Sequence, residues 1–187
     1  ATGSAAGKFQ WHEKIEAKIT PGKVGPYGLK VVNSDEQLEF GLLKAKMSSN
    51  MRTYTDDETT KKELIRARGK KKTAKREQLW VRGRLGLIID GTAHNILKLG
   101  IKKKELEDVG YDTYMIFVNT SLDIALQQNQ DRARKLKDDV IVRTWEEVQS
   151  IKDGLANLFP GGFVEIVNNR AGEDVFRKAF VAIGKLI

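Results

Sequence analysis

Four short apolar runs, at 29–33, 85–89, 113–118 and 163–167, alternate along the chain with stretches that favour helix. This alternation is the strongest constraint on the fold. Continuous Val, Ile, Leu and Phe runs suit strands buried on both faces, and a helix between successive strands makes them parallel. Helices are expected at 35–46, through the basic stretch 61–84, and at 101–109, 121–135, 138–158 and 173–186, with a short break at Leu136 and Lys137. Ser34 is placed to cap the first helix, Gly69 to weaken the basic one and Gly83 to end it. In parallel α/β sheets the functional site lies beyond the carboxyl ends of the strands. The positions to watch are therefore Asn33, Ser34 and Asp35; Asp90, Gly91 and Thr92; Asn119 and Thr120; and Asn168, Asn169 and Arg170.

Composition narrows the chemistry. The chain has 187 residues, which suits a single domain spanning 1–187 with a sizeable core. It contains no cysteine, which excludes disulfides, thiolate metal sites and cysteine nucleophiles, and two histidines are too few for a His-rich metal centre. No apolar run reaches the roughly 20 residues of a membrane helix, so no membrane partner is expected. The sequence shows no secretory signal, which makes a cytoplasmic setting the expectation. The net charge of +8 is concentrated between Lys61 and Arg84, where 11 Lys or Arg face two acids. Such a block suits phosphate-bearing partners, nucleotides or nucleic acid, or else forms a solvated helix face. Trp11, Trp80 and Trp145 lie too far apart in sequence for a base-stacking platform and read as core or interface anchors.

Near the start, Thr2-Gly-Ser-Ala-Ala-Gly-Lys8-Phe9 partly follows the phosphate-binding pattern G-x-x-x-x-G-K-[ST]. In that pattern glycines let backbone N–H groups wrap phosphates, the lysine bridges them and the hydroxyl ligates magnesium. Further on come Val31-Val-Asn-Ser-Asp35, Leu87-Ile-Ile-Asp-Gly-Thr92, Tyr114–Asn119 and Arg132-Ala-Arg-Lys-Leu-Lys-Asp-Asp-Val140. In this order and spacing the chain resembles the small zeta-toxin-like and polynucleotide-kinase-like P-loop kinases, particularly bacteriophage versions, over nearly all of the chain from 28 to 169.

The resemblance implies a three-layer α/β/α P-loop NTPase with a parallel sheet and a helical lid at about 128–142. It implies an ATP-dependent kinase using Mg2+ and acting on a nucleotide, polynucleotide or other small hydroxyl acceptor. On this basis Lys8 is the P-loop lysine, with Gly3 and Gly7 giving the phosphate loop its backbone contacts. Asp35 is the carboxylate that takes the acceptor's proton, a role open to a carboxylate within about 3 Å of that hydroxyl. Asp90 sits near magnesium or substrate. Arg132 and Arg134 are lid arginines closing over the nucleotide, and Arg170 lies by the adenine edge. Arg66 and Arg68, or alternatively Arg52 in the preceding loop, are placed to grip an acceptor phosphate.

The chain also departs from the family pattern. Thr2 replaces the first glycine, Phe9 replaces the hydroxyl, Gln128 stands where another lid arginine is common, and Ala93-His94 follows Asp90-Gly91-Thr92 where a glycine and a basic residue are common. His94 could be a pH-sensitive contact or a plain loop residue. The departures keep open a catalytically degenerate, kinase-derived module, binding or structural, with a phage assembly partner or a second copy of itself. A nucleic-acid-binding domain working through 61–84 is the other alternative. The chain begins at Ala1, and the family's first strand would precede it.

Overall fold

The computed structural model describes residues 29–168, together with Val181 and Gly184. Among them are four strands and six α-helices: β1 Lys30–Val32, α1 Asp35–Lys44, α2 Asp56–Arg82, β2 Leu87–Ile89, α3 Ile96–Asp108, β3 Met115–Asn119, α4 Leu122–Asp131, α5 Asp138–Ser150, α6 Lys152–Leu158 and β4 Phe163–Val167. A short 3-10 turn, Met51–Thr53, precedes α2. The architecture is mixed α/β, with two sheets of two strands each. β1 pairs with β2 and β3 with β4, and both pairs are parallel, as the alternation predicts. Among the described residues no helix is long and apolar enough to cross a membrane.

The chain divides into two compact units. One holds the described residues up to Asp90 together with Asn129–Lys137; the other holds Gly91–Gln128 and the described residues from Asp138 onward. In the second unit Ile141, Val148 and Leu155 recur at heptad spacing along α5 and α6 and are all buried. Val148 and Leu155 join Met115, Phe117 and Phe159 in the core, and the Phe117 ring stacks on Phe163 at 6.1 Å between centroids. Full burial of Phe117 explains why 113–118 reads so clearly as a strand.

The first unit is built on a helical hairpin. Its core is Leu38, Leu42 and Met51, with Met47, Tyr54, Ile65 and Leu136 packed around it. Gly41 of α1 faces Ile65, Gly69 of α2 faces Gln37, and Thr73 Oγ1 donates to Asn33 O at 3.5 Å, so the two helices run antiparallel. α2 runs unbroken through Gly69. This glycine is the buried residue of that helix and lets α1 approach. A Cβ at Gly41 would lie 2.3 Å from Ile65 Cγ2, a methyl on a stiff β-branched stem. Gly41→Ala is therefore expected to destabilise the unit by about 1–2 kcal/mol despite its better helix propensity. Gly154→Ala should be neutral or stabilising, because there the nearest atom is the flexible end of Ile96, Cδ1, at 2.7 Å. Urea unfolding of the two variants checks both.

Several helix boundaries differ from the sequence expectation, each for a local reason. α2 starts at Asp56, well before 61, because Thr55 Oγ1 accepts from Glu58 N–H while the Glu58 carboxylate accepts from Thr55 N–H. α3 starts at Ile96 because Asn95 Oδ1 accepts from Lys98 N–H. The stretch 138–158 is two helices, broken at Ile151. The expected helix 121–135 ends at Asp131, leaving a loop to α5 that carries Arg132 and Arg134. The expected helix 173–186 falls outside the described residues except at Val181 and Gly184, which are helical.

Candidate functional site

Seven of the site residues singled out from the sequence, Asp35, Arg52, Arg66, Arg68, Asp90, Arg132 and Arg134, fall in the first unit. The β1–β2 register sets the frame. Val32 is opposite Ile89, and Asp90 N–H donates to Val32 O at 3.0 Å, so both strands end side by side. Asn33, the residue after Val32, links the backbone amide of Asp35 to the carboxylate of Asp90. Its Oδ1 accepts from Asp35 N–H at 2.7 Å, and its Nδ2 donates to Asp90 Oδ2 at 2.8 Å. Ser34 occupies the cap position of α1 but makes no side-chain cap bond; Asn33 takes up the amide at the helix start instead.

The loop between α4 and α5 is held by hydrogen bonds rather than helix. Asn129, 2% exposed, accepts from Leu136 N–H through Oδ1 at 3.0 Å and donates to Leu136 O through Nδ2 at 2.9 Å. Segment 49–52 closes the other side: Met51 N–H donates to Lys135 O, Ser49 Oγ to Ala133 O, and Arg52 Nε to Leu136 O at 2.9 Å. Arg52 thus serves to hold this loop. The loop in turn presents Arg134 to α1, where Nη2 meets Asp35 Oδ2 at 2.7 Å and Nε lies 3.7 Å from Glu39 Oε1. Asp35 and Glu39, four residues apart, share one helix face. Glu39 was not expected from the sequence, although this spacing is the signal that would have found it.

Arg132 is the electrostatic anomaly. Its Nε donates to Arg134 O at 2.7 Å, but its buried Nη2 has no hydrogen-bond partner. Burial, and next the charge of Arg134, lower its pKa to about 10; Asp35 and Glu39 act in the opposite direction. A guanidinium held with one nitrogen buried and unsatisfied is costly and calls for a partner. Guanidinium groups suit phosphate oxygens, so Arg132 and Arg134 have the chemistry to meet an anionic ligand. Among the described residues no three His, Asp or Glu side chains group as a metal cluster. Mg2+ does not need one, since it keeps several waters and takes one or two carboxylates plus substrate phosphates, and Asp90 fits that share.

Other expected site residues lie elsewhere or are used structurally. Arg66 reaches Glu63 at 4.0 Å, and Arg68 is an exposed residue on α2. His94 Nδ1 shares a 2.8 Å hydrogen bond with Thr92 Oγ1. In the second unit, Asn119 bonds to Glu165 and Gln149, buried Thr120 donates to Asn168 O, and Trp145 Nε1 donates to Thr120 O, so these strand-end residues hold their own unit together. Ala93 adopts φ 51°, a left-handed conformation that glycine tolerates better. Gly3, Gly7, Lys8, Phe9 and Arg170 lie outside the described residues.

Asn33→Ala removes the side-chain bond to Asp90 across the strand ends and the bond to the Asp35 amide at the start of α1. It is expected to cost about 1–2 kcal/mol in chemical denaturation. Asn33→Asp keeps an acceptor for Asp35 N–H but sets a second carboxylate against Asp90, so it should recover less than half of the loss. The chain matches no protein-family model and no curated protein.

Proposed function

We propose that the chain is an ATP-dependent phosphotransferase of the P-loop kinase type, with a three-layer α/β/α fold and the Arg132–Arg134 loop as part of its lid. The observation that carries this reading is the side-by-side placement of Asp35, held by Arg134, and Arg132, a buried guanidinium with an unsatisfied nitrogen. When bound, ATP would supply the phosphoryl group and leave as ADP, and Mg2+ would offset the charge of the phosphates. Asp35 accepts the proton of the acceptor hydroxyl. Arg134 changes partner, releasing the carboxylate as it turns to a phosphate. Arg132 meets that phosphate once its Nη2 is uncovered, and gives up no bond at that atom to do so. Asn33 keeps Asp90 oriented at the end of β2, where Asp90 would take its place beside the metal. Phosphoryl transfer relies mostly on such positioning and charge stabilisation.

The altered phosphate-loop letters Thr2 and Phe9 favour a second reading, a kinase-derived binding module without transfer. One assay separates the two. Radiolabelled ATP and Mg2+ are incubated with the full chain and pools of nucleosides, nucleotides and hydroxyl-ended oligonucleotides. The kinase reading predicts label in one pool; nucleotide binding without label in any pool supports the module.

A further inference from the structure

We propose that the groove between α1 and α2 docks an acidic amphipathic helix of a partner protein. This is independent of phosphoryl transfer. The groove encloses about 500 Å³, and Phe40, Leu64 and Ile65 give it an apolar floor. Phe40 and Leu64, both on the lining, are 51% and 59% exposed, so the floor leaves apolar surface open to solvent. Lys44, Lys61, Arg68 and Lys72 stand on the lining, which includes no carboxylate. Lys44 lies over the Phe40 ring, 4.8 Å from its centroid. The close approach at Gly41 and Gly69 makes the seam shallow, so a third helix can lie along it.

The spacing of the charges favours a helix as occupant. Lys61, Arg68 and Lys72 follow one face of α2, and seven and eleven residues correspond to about 10 and 16 Å of helix rise. A helix lying alongside, with carboxylates at the same intervals and apolar residues between them, meets both the rim and the floor. This is helix-in-groove recognition with charge complementarity. The floor argues against nucleic acid, because bases stack on aromatic faces rather than on Leu and Ile, and the single aromatic ring here already carries Lys44.

The test uses the full chain and three fluorescent probes: a synthetic amphipathic helical peptide with Leu and Glu at these intervals, the same peptide with Gln for Glu, and a single-stranded oligonucleotide. The Glu peptide is expected to bind, with the Gln peptide weaker by about tenfold or more. Leu64→Ser should weaken the Glu peptide by a similar factor, as should the combined Lys61→Ala, Arg68→Ala and Lys72→Ala variant. All four side chains are exposed, so neither variant should disturb the fold, and unchanged melting confirms this. Leu64→Ser should leave any oligonucleotide binding unchanged. The proposal is overturned if the Glu peptide fails to bind at low salt, or binds equally well to the Leu64→Ser chain. It is also overturned if the oligonucleotide binds more tightly and depends on Leu64. Self-association abolished by Leu64→Ser would overturn it too, since the groove would then hold a second copy.

Discussion

Asp35→Asn is expected to lower phosphoryl transfer by about 10²–10⁴-fold, the usual worth of a positioned general base, while changing nucleotide affinity little. The amide keeps the size of the carboxylate and an oxygen facing Arg134 Nη2, now 2.7 Å away in the native pair, but it cannot take up the acceptor's proton. The loss therefore falls on kcat, not on nucleotide binding, and single-turnover measurements separate the two. A matching fall in nucleotide affinity would place Asp35 in binding rather than proton transfer. Losing the charge also leaves Arg134 with only the more distant Glu39, so a small drop in melting temperature accompanies the kinetic effect.

Arg132→Met should separate stability from binding. The charged guanidinium is partly desolvated, with one nitrogen unsatisfied, so replacing it removes a penalty of roughly 1 kcal/mol after allowance for solvent screening of a partly buried group. Losing the 2.7 Å bond from Nε to Arg134 O offsets about the same amount. The ligand-free variant should thus melt at or slightly above the native temperature. Saturating ATP and Mg2+ should raise the melting point of the native chain more than that of the variant. A ligand at about a hundred times its Kd stabilises by ~2.7 kcal/mol, which is readily measured. Loss of lid arginine chemistry should also reduce transfer by roughly 10³-fold or more.

The pH dependence of stability follows from the same residue. The folded-state pKa of Arg132, about 10, lies below its ordinary value, so above pH 10 the unfolded chain binds more protons at this site than the folded one. Its penalty is constant at lower pH, where both states are charged. It fades as pH rises past 10, which adds stability to the native chain that Arg132→Met lacks. Unfolding free energies compared at pH 8 and above 10 check the sign.

The strands were legible because each is a continuous apolar run ending in polar residues. The run 163–167 coincides with β4, and the others differ by at most two residues at an end. Helix starts were less legible where the capping signal lay inside a polar stretch. Thr55 and Glu58 form a capping box, yet their polar neighbours read as loop; Asn95 was likewise hidden between His94 and Ile96. The stretch 132–135 reads as helix because Arg, Ala and Lys favour helix, and the bonds of Asn129 to Leu136 and of segment 49–52 to 133–136 override that propensity. The pairing of Asp35 with Arg134 spans 99 positions and cannot be read from local pattern; the family resemblance set both in one site, and the structure brings them to 2.7 Å. Asn33 stood out as a strand-end residue, but its bridge to Asp90, 57 positions away, needs the parallel register of β1 and β2.

Whether the site takes a nucleotide is decided by calorimetric titration of the full chain with ATP and Mg2+, repeated on Arg132→Met. The kinase reading predicts saturable binding to the native chain, weakened about tenfold or more in the variant, as expected for losing a charge-assisted phosphate contact. Absence of binding at millimolar nucleotide, or equal binding to both chains, would contradict it.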